Sequence, residues 1–328
     1  MFFLIFVNDL PLSNELTSFL FADDTTSLTT GTDINITGQF VNTQLNKLGQ
    51  WLRSHELSIN TTKTKVMIFS NNKKIPAFPF NFDLNEPNCQ FNPAFVKPLE
   101  VVTNQSANPT IKMLGVLLDE KLSFDDHCSN ICKKINKALF HIRSVRNTLS
   151  SAALTKLYYA LIHPHLLYCL TVFSFTSKKN LKLLRNKQKQ CIRLIHKAKH
   201  NAHTEPLFYK SQILPLDDLI TQQKLLLMHS LFHNYSKVSF PDFFLNSEVN
   251  VHRFSLRNEN DFHVPRTNSS FIQKMPLIDF PNTWNELDQS LKEISSRGLF
   301  KKQLKLFLLD KYANFRCNNL LCYSCLQV

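Results

Sequence analysis

A chain of 328 residues in which 43% of the side chains are apolar, 28 of them Phe, has enough material for roughly two or three modest packed units, and this excludes global disorder. Its 38 Lys and Arg against 25 Asp and Glu leave a formal charge of +13, which favours phosphate-rich partners and would also suit an acidic membrane surface. Only five Gly occur, too few and too scattered for a Gly-rich phosphate loop.

The first residues, Met1 to Val7, are apolar but lack a basic leader, and Asn8, Asp9 and Pro11 interrupt them, so no signal peptide is expected. The eight cysteines form no dense secreted framework and are expected as reduced thiols in nucleus or cytoplasm. Thr17 to Phe21 and Thr25 to Leu28 are β-prone runs on either side of Ala22, Asp23 and Asp24, which predicts a hairpin with acids near its turn. Val41, Leu45, Leu48 and Leu52 recur at helical spacing, the helix ending near His55, and Val66 to Phe69 reads as the next strand.

From about 71 to 110 the chain turns to Asn, Pro and Phe without a clear period and reads as an irregular connection. Ile111 to Leu118 reads as a strand ending at the turn Asp119-Glu120-Lys121. From Asp125 the period is helical, through Ile131, Ile135, Leu139 and Ile142, and Ser150 or Ser151 is positioned to cap the next helix. Leu154 to Phe175 is long enough to span a bilayer, but His163, Pro164 and His165 at its middle argue for a buried helical hairpin and no membrane. Another helix is expected from about Lys179 to His196, with more to His233, and an amphipathic stretch from Leu299 to Leu309. The pattern changes divide the chain at about 124 and 235, giving an α+β organisation: a mixed first region 1–124, a helical region 125–235 and a small mixed region 236–328.

Four groups of side chains carry possible chemistry. Asp23 and Asp24 are paired hard-oxygen donors of the kind that hold Mg, and strand alternation would turn one of them, taken as Asp23, squarely to the metal. The plain alternative is a solvated turn. Lys178, Lys182, Arg185, Lys189 and Arg193 follow at three- and four-residue spacing opposite Leu181, Leu184, Ile192 and Ile195, a helix with one basic face for a sugar-phosphate backbone or simply for solvent. Cys317, Cys322 and Cys325 form a Cys-x4-Cys-x2-Cys cluster that would suit Zn only if a fourth ligand, His252 or His263, folded back. His127 with Cys128 and Cys132, and His165 with Cys169, sit in apolar helical patterns where packing is the simpler role.

The residues Ile5-Phe6-Val7-Asn8-Asp9-Leu10-Pro11, the box Phe21-Ala22-Asp23-Asp24, Trp51-Leu52, Leu57-Ser58-Ile59-Asn60, Lys63-Thr64 and Val66 to Phe69, in this order, resemble the palm of non-LTR retrotransposon reverse transcriptases. Leu114-Gly115-Val116, Leu118-Asp119, Leu157-Tyr158-Tyr159-Ala160, Pro164, Tyr168, Arg193 to Ile195, Trp284-Asn285-Glu286-Leu287 and Phe300 to Leu308 extend the likeness over most of the chain. The resemblance implies a truncated palm to 124, a thumb-like helical region to 235, Asp23 and Asp24 as Mg ligands of RNA-directed DNA polymerisation, and Lys63 beside the phosphates of the incoming deoxynucleotide. It implies an RNA template and a DNA primer as partners, with the basic helix gripping them. Asp9 fits a helix end or turn better than a catalytic role. The family's third aspartate and its fingers precede the acidic box and have no counterpart here, so the chain alone is expected to be inactive. A non-catalytic nucleic-acid-binding remnant is the alternative.

Overall fold

The computed structural model describes residues 2–70, 76–83, 96–233, 235, 261–262, 264–269 and 272–313. They fall into two compact units, Met1–Ser123 and Phe124–Val328.

In the first unit a short helix α1 (Phe2–Phe6) and a 3-10 turn (Leu10–Ser13) lead into the hairpin β1 (Thr17–Phe21) and β2 (Asp24–Leu28). Helix α2 (Ile34–Ser54) follows, started by Asp33, whose carboxylate accepts the otherwise unpaired N–H groups of Asn35 and Ile36. Its apolar stripe, Leu45 and Leu48 above all, packs on Leu10, Phe80, Phe82 and Leu99 to form the core of the unit. Strands β3 (Lys65–Met67), β4 (Asn81–Asp83), β5 (Val96–Pro98), β6 (Glu100–Val102), β7 (Thr110–Met113) and β8 (Val116–Asp119) complete it. The described strands pair only in twos: β1 with β2, β4 with β5 and β7 with β8 antiparallel, β3 with β6 parallel.

Two expectations change here. The connection expected to be irregular from about 71 to 110 contains β4, β5 and β6, and it buries Phe80 and Phe82 in the core. Phe78 beside them needs Gly38 on α2, since a Cβ there would come within 2.4 Å of the Phe78 ring. The strand expected over Ile111 to Leu118 is instead a hairpin. Leu114 (φ 46°) and Gly115 (φ 88°) both take left-handed conformations, the requirement of a two-residue turn whose twist matches its flanking strands.

The second unit is helical: α3 (Asp125–Val145), α4 (Ser151–Leu161), α5 (His163–Leu167), α6 (Leu170–Phe173), α7 (Lys178–Ile195), α8 (Glu205–Ser211) and α9 (Leu216–Phe232), then a 3-10 turn (Ile272–Lys274), α10 (Pro276–Asn285), α11 (Gln289–Lys292) and α12 (Arg297–Asp310). Ser150 caps α4 by accepting the N–H of Ala153. α3 packs along α7, and α9 packs against α10 and α12. α9 buries residues around its whole circumference, including Leu216, Leu219, Leu225, Met228 and His229, as a helix enclosed on all sides must. Leu154 to Phe175 forms three helices rather than one hairpin, broken at Ile162 and at Tyr168-Cys169, where Cys169 takes φ 53°. Among the described residues no helix is long and apolar enough to cross a membrane. The described residues thus combine helices with small sheets, which agrees with α+β at that coarse level.

Candidate acidic hairpin and basic helix

The register Phe21↔Asp24 leaves Ala22 and Asp23 as the two turn residues between β1 and β2. Ala22 holds φ 54°, a left-handed conformation that brings its Cβ against the backbone and favours Gly. Asp23 is therefore a turn residue, and strand alternation does not govern where it points; Asp24, at the first position of β2, is the one with strand geometry. Directly paired residues share a face, so Asp24 lies with Phe21 and Phe19, which are 64% and 55% exposed. On the other face Ser18 and Ser27 hydrogen-bond at 2.9 Å, and Leu20 packs toward the core.

Both carboxylates are exposed and make no hydrogen bond or ion pair with another described residue. Their oxygens suit Mg by type. No third Asp, Glu, His or Cys among the described residues stands close enough to join them in a metal-binding group, so the donor set present here is short of a complete site.

Lys63 sits in the turn ahead of β3, where Asn60 accepts from the Lys63 N–H (3.2 Å) and the Thr62 hydroxyl (2.6 Å), and its ammonium is exposed. The neighbouring Lys65 is tied to Glu100 at 3.0 Å. Asp9 precedes the 3-10 turn and accepts the Trp51 indole N–H at 3.3 Å. Trp51 in turn stacks on His55 with 4.0 Å between ring centroids, and Phe6 meets His55 edge-on at 5.5 Å. The motif residues Phe6, Asp9 and Trp51 are thus brought together as a brace between α1 and α2.

The basic face of α7 exists, but much of it is occupied. Arg185 forks onto Asp217 of α9, Lys189 reaches Glu205 of α8 at 3.0 Å, and Arg193 Nε donates to the Ala202 carbonyl at 2.8 Å. Burial opposes the charge of Glu205, but its own N–H, Lys189 and the Thr204 N–H outweigh that and hold its carboxyl below the usual range. Lys178 and Lys182 remain exposed and make no ion pair among the described residues. The opposite stripe, Leu184, Ile192 and Ile195, is buried.

His127, Cys128 and Cys132 lie on one side of α3, where burial lowers the His127 pKa and pushes the Cys128 thiol up to about 12. His165 is likewise lowered by burial and by Lys134, while Cys169 is half-buried. Neither set belongs to a metal-binding group among the described residues. Cys317, Cys322 and Cys325, with His252 and His263, lie outside the described residues. The sequence reading also passed over the row Arg297, Lys301 and Lys305 on α12, visible in the sequence as cations four residues apart.

The chain is similar to RNA-directed DNA polymerases of mobile elements. Two curated relatives carry that description: the RNA-directed DNA polymerase from mobile element jockey of Drosophila melanogaster, 24% identical over 205 residues (59% of this chain, 20% of the relative), and that of Drosophila funebris, 23% identical over 230 residues (66% and 23%). The aligned part of the chain spans about a fifth of the length of these relatives. No family model and no solved structure matches the chain.

Proposed function

We propose that the chain takes part in RNA-directed DNA polymerisation as a segment of a non-LTR retrotransposon reverse transcriptase. The observation that carries this reading is the Asp23-Asp24 pair, held in solvent on a tight two-residue hairpin in a chain similar to two mobile-element polymerases. In this reading the first unit supplies part of the palm and the helical unit a thumb-like support. The partners are an RNA template, a DNA primer and deoxynucleotides, met in nucleus or cytoplasm. Asp23 and Asp24 contribute oxygen ligands to Mg, which supplies charge stabilisation for nucleotidyl transfer when further ligands complete the site. Lys63 serves as a cation for the phosphates of the incoming nucleotide.

A second reading, a non-catalytic nucleic-acid-binding segment, is favoured by the absence of a third metal ligand beside Asp23 and Asp24 among the described residues. Primer extension on an RNA template with Mg and deoxynucleotides separates the two. Extension that Asp23→Asn abolishes supports catalysis by the chain itself. Binding of primer–template without extension supports the second reading, and failure of both sinks the proposal.

A further inference from the structure

α12 carries Arg297, Lys301 and Lys305 four residues apart, so they form one row along the helix, each about 6 Å beyond the last at 1.5 Å rise per residue. The neighbouring row of Phe300, Leu304 and Leu308, roughly 60–100° around the helix from the cations, is buried against the rest of the helical unit. Elsewhere in that unit the cations of Arg185, Lys189, Lys224, Lys292 and Lys311 are each met by a carboxylate. No ion pair among the described residues reaches the row, although like charges at this spacing repel one another.

Other groups add to the same positive surface. The charges of Lys301 and Lys305 both act on His163 at the start of α5. The Tyr159 ring of α4 lies 5.1 Å from the His163 ring, is 40% exposed, and donates its hydroxyl to the Gln212 carbonyl. Lys305 is half-buried, and burial first and then the charge of Lys301 lower its pKa from the ordinary lysine value.

We propose that Arg297, Lys301 and Lys305, with Tyr159 and His163 beside them, form a binding surface for the phosphate backbone of a single nucleic-acid strand. A row of unpaired cations can release counter-ions from successive phosphates, and an exposed ring next to it offers a base a stacking face. An anionic membrane is the competing partner, since Phe300, Leu304 and Leu308 are buried but Leu299, Leu306 and Phe307 of the same helix are exposed. The aromatic ring beside the cations favours a nucleic-acid strand, and the vesicle arm of the test separates the two. The inference rests on the nucleic-acid reading above and moves the principal grip from α7, where acids already occupy much of the basic face, to α12.

The test is fluorescence anisotropy of a labelled single-stranded RNA oligonucleotide with the full chain across a salt series. Reversing the row (Arg297→Glu, Lys301→Glu, Lys305→Glu) should weaken binding about tenfold or more at low salt and flatten the log–log salt slope by about 2, at ~0.7 per phosphate. Lys301→Gln with Lys305→Gln should act in the same direction with less risk to folding, and Lys301→Arg with Lys305→Arg should preserve both affinity and slope. Tyr159→Leu should cost several-fold in affinity and leave the slope unchanged. If the unaltered chain does not bind the RNA, both this inference and the nucleic-acid reading fall. If it binds and the charge-reversed and Gln variants bind equally well, only this inference is overturned. It is also overturned if those variants lose binding to phosphatidylserine vesicles while RNA binding is unaffected.

Discussion

Lys189 Nζ lies 3.0 Å from Glu205 Oε1, so a cation on the basic face of α7 is neutralised by an acid from the helix that follows. Arg185 is held in the same way by Asp217 at the start of α9. If the α7 face is to meet phosphates, these acids compete with them. Glu205→Gln combined with Asp217→Asn should therefore tighten RNA binding and steepen the salt slope by up to about 1.4, two cations at ~0.7 each for a single strand. Both pairs are at least partly exposed, so the cost in stability should stay within about 1 kcal/mol. Anisotropy and urea titration measure the two quantities. Unchanged affinity and slope would show that α7 does not touch the RNA.

The parts of the molecule legible in the sequence are those long enough to repeat their period several times. α3 and α7 repeat apolar residues over five turns or so, and the β1–β2 hairpin shows two β-prone runs about an acidic turn. Strands β4 to β6 are three residues each, too short for a period. A signal was still present in Phe78, Phe80 and Phe82, which alternate as one face of a strand does, but Pro79 and the surrounding Asn residues obscured it. The turn at Leu114-Gly115 was hidden because it places Leu114 at a positive φ, where a γ-branched residue is not expected. The pairing of α7 cations with Glu205 and Asp217 depends on how the helices pack, which spacing along the chain does not contain.

Burial sets the reactivity of two thiols. Cys128 and Cys191 are fully enclosed, and burial pushes each up to about 12, with Cys132 and Asp125 adding to the effect at Cys128. At pH 8 on the order of one in 10,000 of these groups would be thiolate, the form that attacks alkylating agents. Peptide mapping after brief iodoacetamide treatment should find both residues unmodified in the folded chain and modified in urea. Modification at equal rates in the two states would contradict the enclosed positions.

Ala22 tests whether the acidic turn is held under strain. Its left-handed backbone costs an L-residue roughly 1–2 kcal/mol, which Gly would avoid while losing ~0.5–1 kcal/mol through the entropy of the unfolded chain. Ala22→Gly should thus be close to neutral or mildly stabilising. Ala22→Val, β-branched at the same positive φ, should destabilise the first unit by a further 1 kcal/mol or about that. Urea denaturation followed by Trp51 fluorescence reports the difference. Equal stability of the two variants would mean that the turn relaxes and Asp23 is not rigidly presented.

His229 gives the helical unit a defined acid sensitivity. Its ring is fully buried, stacks on Phe300 at 4.2 Å and donates its Nε2 hydrogen to the Ile294 carbonyl at 2.7 Å, leaving Nδ1 buried with no hydrogen-bond partner. Burial, and to a lesser degree His233 and Arg297, lower its pKa below the ordinary 6.5. Between that depressed value and 6.5 the unfolded chain binds more protons than the folded one, so stability is complete above 6.5 and declines as pH falls. His127, His163, His165 and His196 are lowered in the same direction and steepen the decline. The urea midpoint of the helical unit should therefore drop from pH 7.5 to pH 5. His229→Leu should start lower at pH 7.5, since the Ile294 carbonyl loses its donor at a cost of about 1–3 kcal/mol, but should lose less on acidification. A drop as large in His229→Leu as in the unaltered chain would place the acid sensitivity elsewhere, on the remaining buried imidazoles.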